Sequence, residues 1–180
     1  LMRYESPKTT KEAVALLGGE KGSAHILAGG TDLMVSLRVD MIEPDLMVDI
    51  KRISAMREIK KTANGFTIGA AVSGAEMAEN KALVKAWPGV VEATNLIGSD
   101  QIQSRCTMVG NLCNASPAAD SVPAMVAAGA KAVVVNTAAV DSVTGDPDTI
   151  WVKYISGESI TDGVQGIYFS GGNLGGVGYT

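Results

Sequence analysis

Aromatic side chains are scarce in this 180-residue sequence, at 4 %, so a core built mainly from rings is excluded. Alanine, valine and glycine are abundant instead, which suits tightly packed layers of helix and sheet with ligand sites lined by backbone. Histidine occurs once, at His25, and cysteine twice, at Cys106 and Cys113. That is too few soft ligands, too widely spaced, for a zinc or iron–sulfur site. Basic clusters are missing as well: 15 lysines and arginines stand against 19 acidic residues, a net charge of −4. Without a basic stripe interleaved with aromatics, a nucleic-acid partner is not expected. Long apolar runs are also absent. The longest, residues 124–135, is broken by Gly129 and Lys131 and is too short to span a bilayer, so no membrane insertion is expected. No signal-peptide pattern precedes the first helix. The two cysteines then read as reduced thiols of a cytoplasmic protein.

A chain of this length can bury a core without staples, as one domain or as two small lobes. Thr9 and Thr10 precede an apolar-periodic stretch that ends at Gly18-Gly19, the pattern of a capped helix. A short strand at 25–28 runs into Gly29-Gly30. Thr31 is placed to cap a second helix, 32–39, with Leu33, Met34 and Leu37 on one face. A strand at 46–50 follows Pro44, giving the first 53 residues βαβ character. The second lobe, 54–135, opens with a hairpin predicted around Asn64-Gly65, between 56–61 and 66–70. Ser73 is placed to cap a helix over 74–79, and a further helix is expected from Pro88 to Ile97. Residues 98–117 read as a loop, 120–129 as a helix and 132–135 as a strand. After Asn136 the apolar periodicity fades, and 136–180 is expected to be a poorly specified tail with one strand near 150–155.

Two stretches carry chemistry. In Leu27-Ala28-Gly29-Gly30-Thr31-Asp32-Leu33 a strand ends, two glycines turn the chain and a helix begins. Glycines let backbone approach an anion, and a helix start supplies N–H groups and partial positive charge. A plain tight turn with a threonine cap fits the same residues. Asp32 would repel a phosphate if it pointed inward and is expected to face away. The second stretch, 105–120, offers backbone N–H groups at Gly110 and Asn111, hydroxyls at Thr107 and Ser116 and a carboxylate at Asp120. It could complete a diphosphate cradle opposite the first, with Asp120 holding a ribose or ribityl hydroxyl. Asp120 could equally cap the helix that follows it. His25 reads as a surface or edge residue, because no nucleophile or carboxylate stands near it. Trp87 and Trp151 read as packing residues. The glycine run 171–178 has no helix after it and fails the context test for a nucleotide loop. No catalytic residue is assigned.

The order of these segments resembles the FAD-binding, or medium, subunit of molybdenum hydroxylases, as in carbon monoxide dehydrogenase and xanthine dehydrogenase. The matching stretches are Tyr4-Glu5-Ser6-Pro7, 26–33, Thr67-Ile68-Gly69-Ala70-Ala71-Val72-Ser73, Ile97-Gly98, Gln101-Ile102-Gln103-Ser104-Arg105 and 107–120 with Pro123-Ala124. The resemblance covers roughly residues 2–135. It implies an α+β, two-lobed FAD-binding fold of the vanillyl-alcohol-oxidase (PCMH) type, here lacking the family's C-terminal domain. It implies FAD as cofactor, with 27–33 as the first diphosphate loop, Thr107, Gly110 and Asn111 as the second, Asp120 on a ribityl or ribose hydroxyl, and Ile97 packed near the cofactor. It also implies an oxidoreductase subunit with partners. Electrons would pass from a molybdopterin-bearing large subunit, through a small [2Fe-2S] subunit, to FAD, and on to NAD, a quinone or oxygen. A free-standing flavin oxidoreductase and a truncated, non-catalytic remnant of the fold are the alternatives. Val109 stands where the family's second turn, Thr-x-Gly-Gly-Asn, has its first glycine, and would be costly if that position needs a positive φ. Cys106, where glycine is common, reads as a filler.

Overall fold

The fold was obtained as a computed structural model that describes residues 1–62, 65–135 and 149–155. Asn64 of the expected turn, residues 136–148 and 156–180, and with them the glycine run 171–178, lie outside the described residues.

Strand β1, Arg3–Glu5, leads into helix α1, Thr10–Gly19. Thr9 starts α1 with a capping box: its hydroxyl accepts the Glu12 amide at 3.2 Å, and the Glu12 carboxylate accepts the Thr9 amide at 3.2 Å. The helix buries Ala13, Val14 and Leu17. After it come β2, Ala24–Leu27, then α2, Leu33–Arg38, and β3, Leu46–Asp49. The three strands form a parallel sheet in the order β1-β3-β2, with Tyr4 opposite Met47 and Leu27 opposite Asp49. All four β3 residues are buried, as the centre strand of a covered parallel sheet requires. Helix α2 is shorter than expected and buries no residue. Leu33 and Leu37 are half-buried but Met34 is 49 % exposed, so the expected apolar face does not enter the core. Thr31 does not cap it either. Asp32 holds the cap position without a side-chain hydrogen bond.

Two short 3-10 turns, Ile50–Arg52 and Ser54–Met56, lead to the hairpin of β4, Ile59–Thr62, and β5, Gly65–Gly69. Its antiparallel register pairs Thr62 with Gly65, so Gly65 belongs to the strand and Met56 to the preceding turn. Helix α3, Gly74–Glu79, has a second capping box, between Ser73 and Glu76. Helix α4, Lys81–Ala86, starts at Asn80, whose side chain accepts the Leu83 amide at 3.0 Å. It had no counterpart in the sequence reading. Helix α5, Pro88–Thr94, stops short of Leu96 and Ile97. The expected loop at 98–117 contains two helices, α6, Asp100–Gln103, and α7, Met108–Cys113. Helix α8, Val122–Ala127, follows from Ser121 and ends before Gly129, which takes φ +63°. Strand β6, Lys131–Val135, and β7, Thr149–Ile155, complete a second sheet, β4-β5-β7-β6, in which β5, β7 and β6 run parallel.

One hydrophobic cluster joins the two sheets. It takes Leu46, Val48 and Ile50 from the first sheet and its exit, Phe66 and Ile68 from the second, and Met77, Leu83, Val90, Met108 and Met125 from the helices. At about 1.5–3 kcal/mol for each large side chain fully removed from water, this cluster is what holds the two glycine-containing segments at fixed positions. Trp87 packs against it from the edge.

Candidate functional site

The first turn leaves β2 and enters α2 through Gly30, which takes φ +79°, a conformation that favours glycine. A Cβ on Gly30 would lie 2.7 Å from Leu27 Cδ1 and 3.3 Å from Met34 Cγ. Its side-chain direction therefore faces the turn's own neighbours. Gly29 is constrained differently. A Cβ there would collide with the carbonyl oxygen of Arg105 and would sit 3.1 Å from Cys106 Cα. The first turn thus abuts the backbone that leads directly into the second.

The second turn is a helix start. Thr107 caps α7, its hydroxyl accepting the Gly110 amide at 2.9 Å, and its carbonyl accepts the Asn111 amide at 2.9 Å. The two amides expected to face a ligand are therefore engaged inside α7. A Cβ on Gly110 would stand 2.7 Å from Thr107 Oγ1, so glycine here makes room for the cap. Val109 does not have a positive φ, and only 3 % of its surface is exposed. The cost foreseen for a valine in this position does not arise, because its side chain points into the core.

Thr107 is anchored by the isolated antiparallel bridge to Ser73, beside which the Gly74 amide donates to Cys106 O at 3.0 Å. On the far side, the Asn111 side-chain oxygen accepts the hydroxyl of Ser121 at 2.6 Å and its amide at 3.2 Å. Ser121 is fully buried and had not been singled out from sequence. A buried hydroxyl paired with a helix-borne asparagine can be recognised only once the two helices are placed.

Both turns line one cleft of about 280 Å³. Of the expected residues, Ala28, Gly29, Gly30, Thr31, Asp32 and Leu33 come from the first turn, Thr107, Gly110 and Asn111 from the second, and Ile97 from the segment between α5 and α6. Leu27, Ser116 and Asp120 are not brought to this cleft. Leu27 is buried, Ser116 is half-buried, and Asp120 is exposed one residue before Ser121. His25 lies on β2, an edge strand of the first sheet, as expected, and it also lines the cleft wall with Ser36 and Ile42. Asp32, expected to face away, also lines the cleft. Burial is the main reason the Cys106 thiol is pushed up, and the negative charge of Asp32 adds to it. The Asp32 carboxylate makes no hydrogen bond to the helix start. Cys106 itself is 2 % exposed and has no disulfide, consistent with a filler, whereas Cys113 is exposed in the cleft lining.

No lysine or arginine lines this cleft. Its polar lining consists of backbone on small residues, the hydroxyls of Thr31, Ser36 and Thr107, the side chains of His25, Asn111 and Asn114, and the Asp32 carboxylate. The hydroxyls and first-turn backbone of this lining can meet an anion, Ile97 offers an apolar contact, and Asp32 opposes negative charge there. Among the described residues no group of histidine, cysteine or carboxylate side chains could hold a metal ion, and no helix is long and apolar enough to cross a membrane.

Residues 1–145 match the family described as "FAD binding domain in molybdopterin dehydrogenase". The chain belongs to that family. FAD is the cofactor the family binds. Among individual relatives, the chain is 32 % identical over 117 residues to the carbon monoxide dehydrogenase medium chain of Hydrogenophaga pseudoflava, covering 65 % of this chain and 41 % of that one. It is 32 % identical over 157 residues to the nicotinate dehydrogenase FAD-subunit of Eubacterium barkeri, covering 86 % and 51 %. Among solved structures, reconstituted CO dehydrogenase from Oligotropha carboxidovorans superposes with a TM-score of 0.67 at 29 % identity, over 72 % of this chain and 45 % of the other. The chain therefore spans about half the length of these relatives or less, and they are subunits of dehydrogenases.

Proposed function

We propose that this chain forms the FAD-binding region of an electron-transfer subunit in a molybdenum hydroxylase, with two lobes, 1–53 and 54–135, of the vanillyl-alcohol-oxidase type. The observation that carries the reading is the shared cleft. Two glycine-containing segments, far apart in sequence, meet with Gly29 packed on the Arg105–Cys106 backbone. The small side chains, the positive-φ glycine and the hydroxyls at Thr31 and Thr107 fit an FAD diphosphate, and the Asp32 carboxylate in the same lining opposes it. Ala28, Gly29, Gly30, Thr31 and Leu33 would form one wall, Thr107 and the start of α7 the other, and Ile97 would supply an apolar contact. Gly110 contributes by leaving space for the Thr107 cap, and Asn111 by tying α7 to Ser121. Asp120, exposed and outside this cleft, takes no part in this diphosphate site.

FAD supplies the redox chemistry, and the chain supplies binding, orientation and electrostatic setting. The reading extends to partners: a molybdopterin-binding large subunit, a small [2Fe-2S] subunit, and NAD, a quinone or oxygen as final acceptor. Affinity purification of the full-length gene product from its native host tests this. Yellow colour with flavin absorbance, accompanied by molybdenum and iron in stoichiometric subunits, is the expected result. A flavin-free protein that purifies alone would refute it.

A further inference from the structure

Lys51 lies outside the cleft yet reaches the turn that lines it. Its Nζ donates to the carbonyl oxygen of Ala28 at 3.1 Å and lies 2.9 Å from Asp49 Oδ1. Asp49, at the end of the central strand, is 6 % exposed and fully engaged. Its Oδ1 also accepts the Lys51 amide at 2.9 Å, and its Oδ2 accepts the Tyr4 hydroxyl at 2.6 Å. The chain of contacts crosses the whole first sheet, from Tyr4 on β1 through Asp49 on β3 to the residue just after β2.

The group at the end of this chain matters for an anion site. In a trans peptide the carbonyl of one residue and the amide of the next point in opposite directions. If the Ala28–Gly29 peptide were reversed, its carbonyl oxygen would face the cleft and repel a phosphate. Drawing the Ala28 carbonyl toward Lys51 turns the Gly29 N–H the other way, away from a lysine that is not part of the cleft wall. We propose that Tyr4, Asp49 and Lys51 are positioning residues that fix the Ala28–Gly29 peptide for diphosphate binding. This rests on the FAD reading above. Asp49 fixes the lysine in place, and Tyr4 fixes the carboxylate. The Asp49 carboxyl supports the arrangement: burial would raise it, but the hydrogen bonds from Tyr4 and Lys51 outweigh that and hold it below the usual carboxylate range.

The test measures FAD dissociation constants by flavin fluorescence for the full chain and for Lys51→Met, Lys51→Arg and Tyr4→Phe. Unfolding midpoints are recorded without FAD. Lys51→Met is expected to weaken FAD binding by about tenfold, as for loss of a charge-assisted hydrogen bond. Lys51→Arg should restore affinity to within about threefold, since it can still donate to both oxygens. Tyr4→Phe changes no charge, so its expected loss of about threefold in affinity cannot be loss of a nearby cation; it reports the relay itself. If the unaltered chain binds no FAD, the functional reading fails and this inference falls with it. If the unaltered chain binds FAD and Tyr4→Phe and Lys51→Met bind it equally well, the relay alone is overturned. Should Lys51→Met fail to fold, Tyr4→Phe decides the matter.

Discussion

At Gly29 an added methyl group would strike the carbonyl oxygen of Arg105, a backbone atom with no rotamer to yield. Gly29→Ala is therefore expected to force the two turns apart, with loss of FAD binding and about 1–3 kcal/mol of stability. Gly30→Val acts by another route. Its side chain would meet Leu27 and Met34 and would need a positive φ, so it distorts the turn locally instead of filling the diphosphate space. Comparing the FAD affinity and urea midpoint of each variant with the unaltered chain separates the two routes. The Tyr4–Asp49 pair gives a second expectation. Tyr4 is raised, chiefly by its hydrogen bond to Asp49, and Asp49 is lowered. The tyrosine's contribution is fully present below about pH 10 and is lost as pH rises through its raised pKa. The carboxylate's contribution is present above about pH 4 and is lost as pH falls through its lowered pKa. The stability difference between the unaltered chain and Tyr4→Phe should thus persist across neutral pH and shrink at both extremes, as read from urea midpoints. A pH-independent difference would assign the effect to packing.

At the scale of elements, what was legible depended on how local the cause was. The capping boxes at Thr9–Glu12 and Ser73–Glu76 lie within four residues, and α1 and α3 could be read from them. The hairpin and the strand near 150–155 also followed from local pattern. Helix α7 was hidden because Gly110 and Asn111 are poor helix formers, so the segment looked like a loop. Its stability comes from tertiary contacts: Met108, Val109 and Leu112 in the core, the Thr107 cap, and the Asn111–Ser121 tie. Nothing in the sequence around Asn111 points ten residues ahead to Ser121, just as nothing around Tyr4 points to Asp49. Asn111→Ala would leave the buried Ser121 hydroxyl without its partner and is expected to cost about 1–3 kcal/mol. Chemical unfolding measures that loss. Because the tie positions α7, FAD affinity should fall as well; unchanged affinity would detach α7 from the site.

For the molecule as a whole, the order of segments carried more information than any one of them. The Gly29-Gly30 turn alone fits an ordinary tight turn, and the 107–111 stretch alone is a short capped helix. Folding places them on one cleft because β3, α3 and α7 share a single core, with the Ser73–Thr107 bridge tying the starts of α3 and α7 together and Gly29 packed on the Arg105–Cys106 backbone. Residues 1–145, which contain both segments, match the FAD-binding family. The central claim is that the two segments act as one binding site, and equilibrium titration of the flavin-free full chain with FAD tests it most directly. The expected result is saturable binding of one FAD per chain, competed by ADP and weakened by Gly29→Ala in the first turn and by Thr107→Val in the second. No saturable binding, or binding that either substitution leaves untouched, would contradict it.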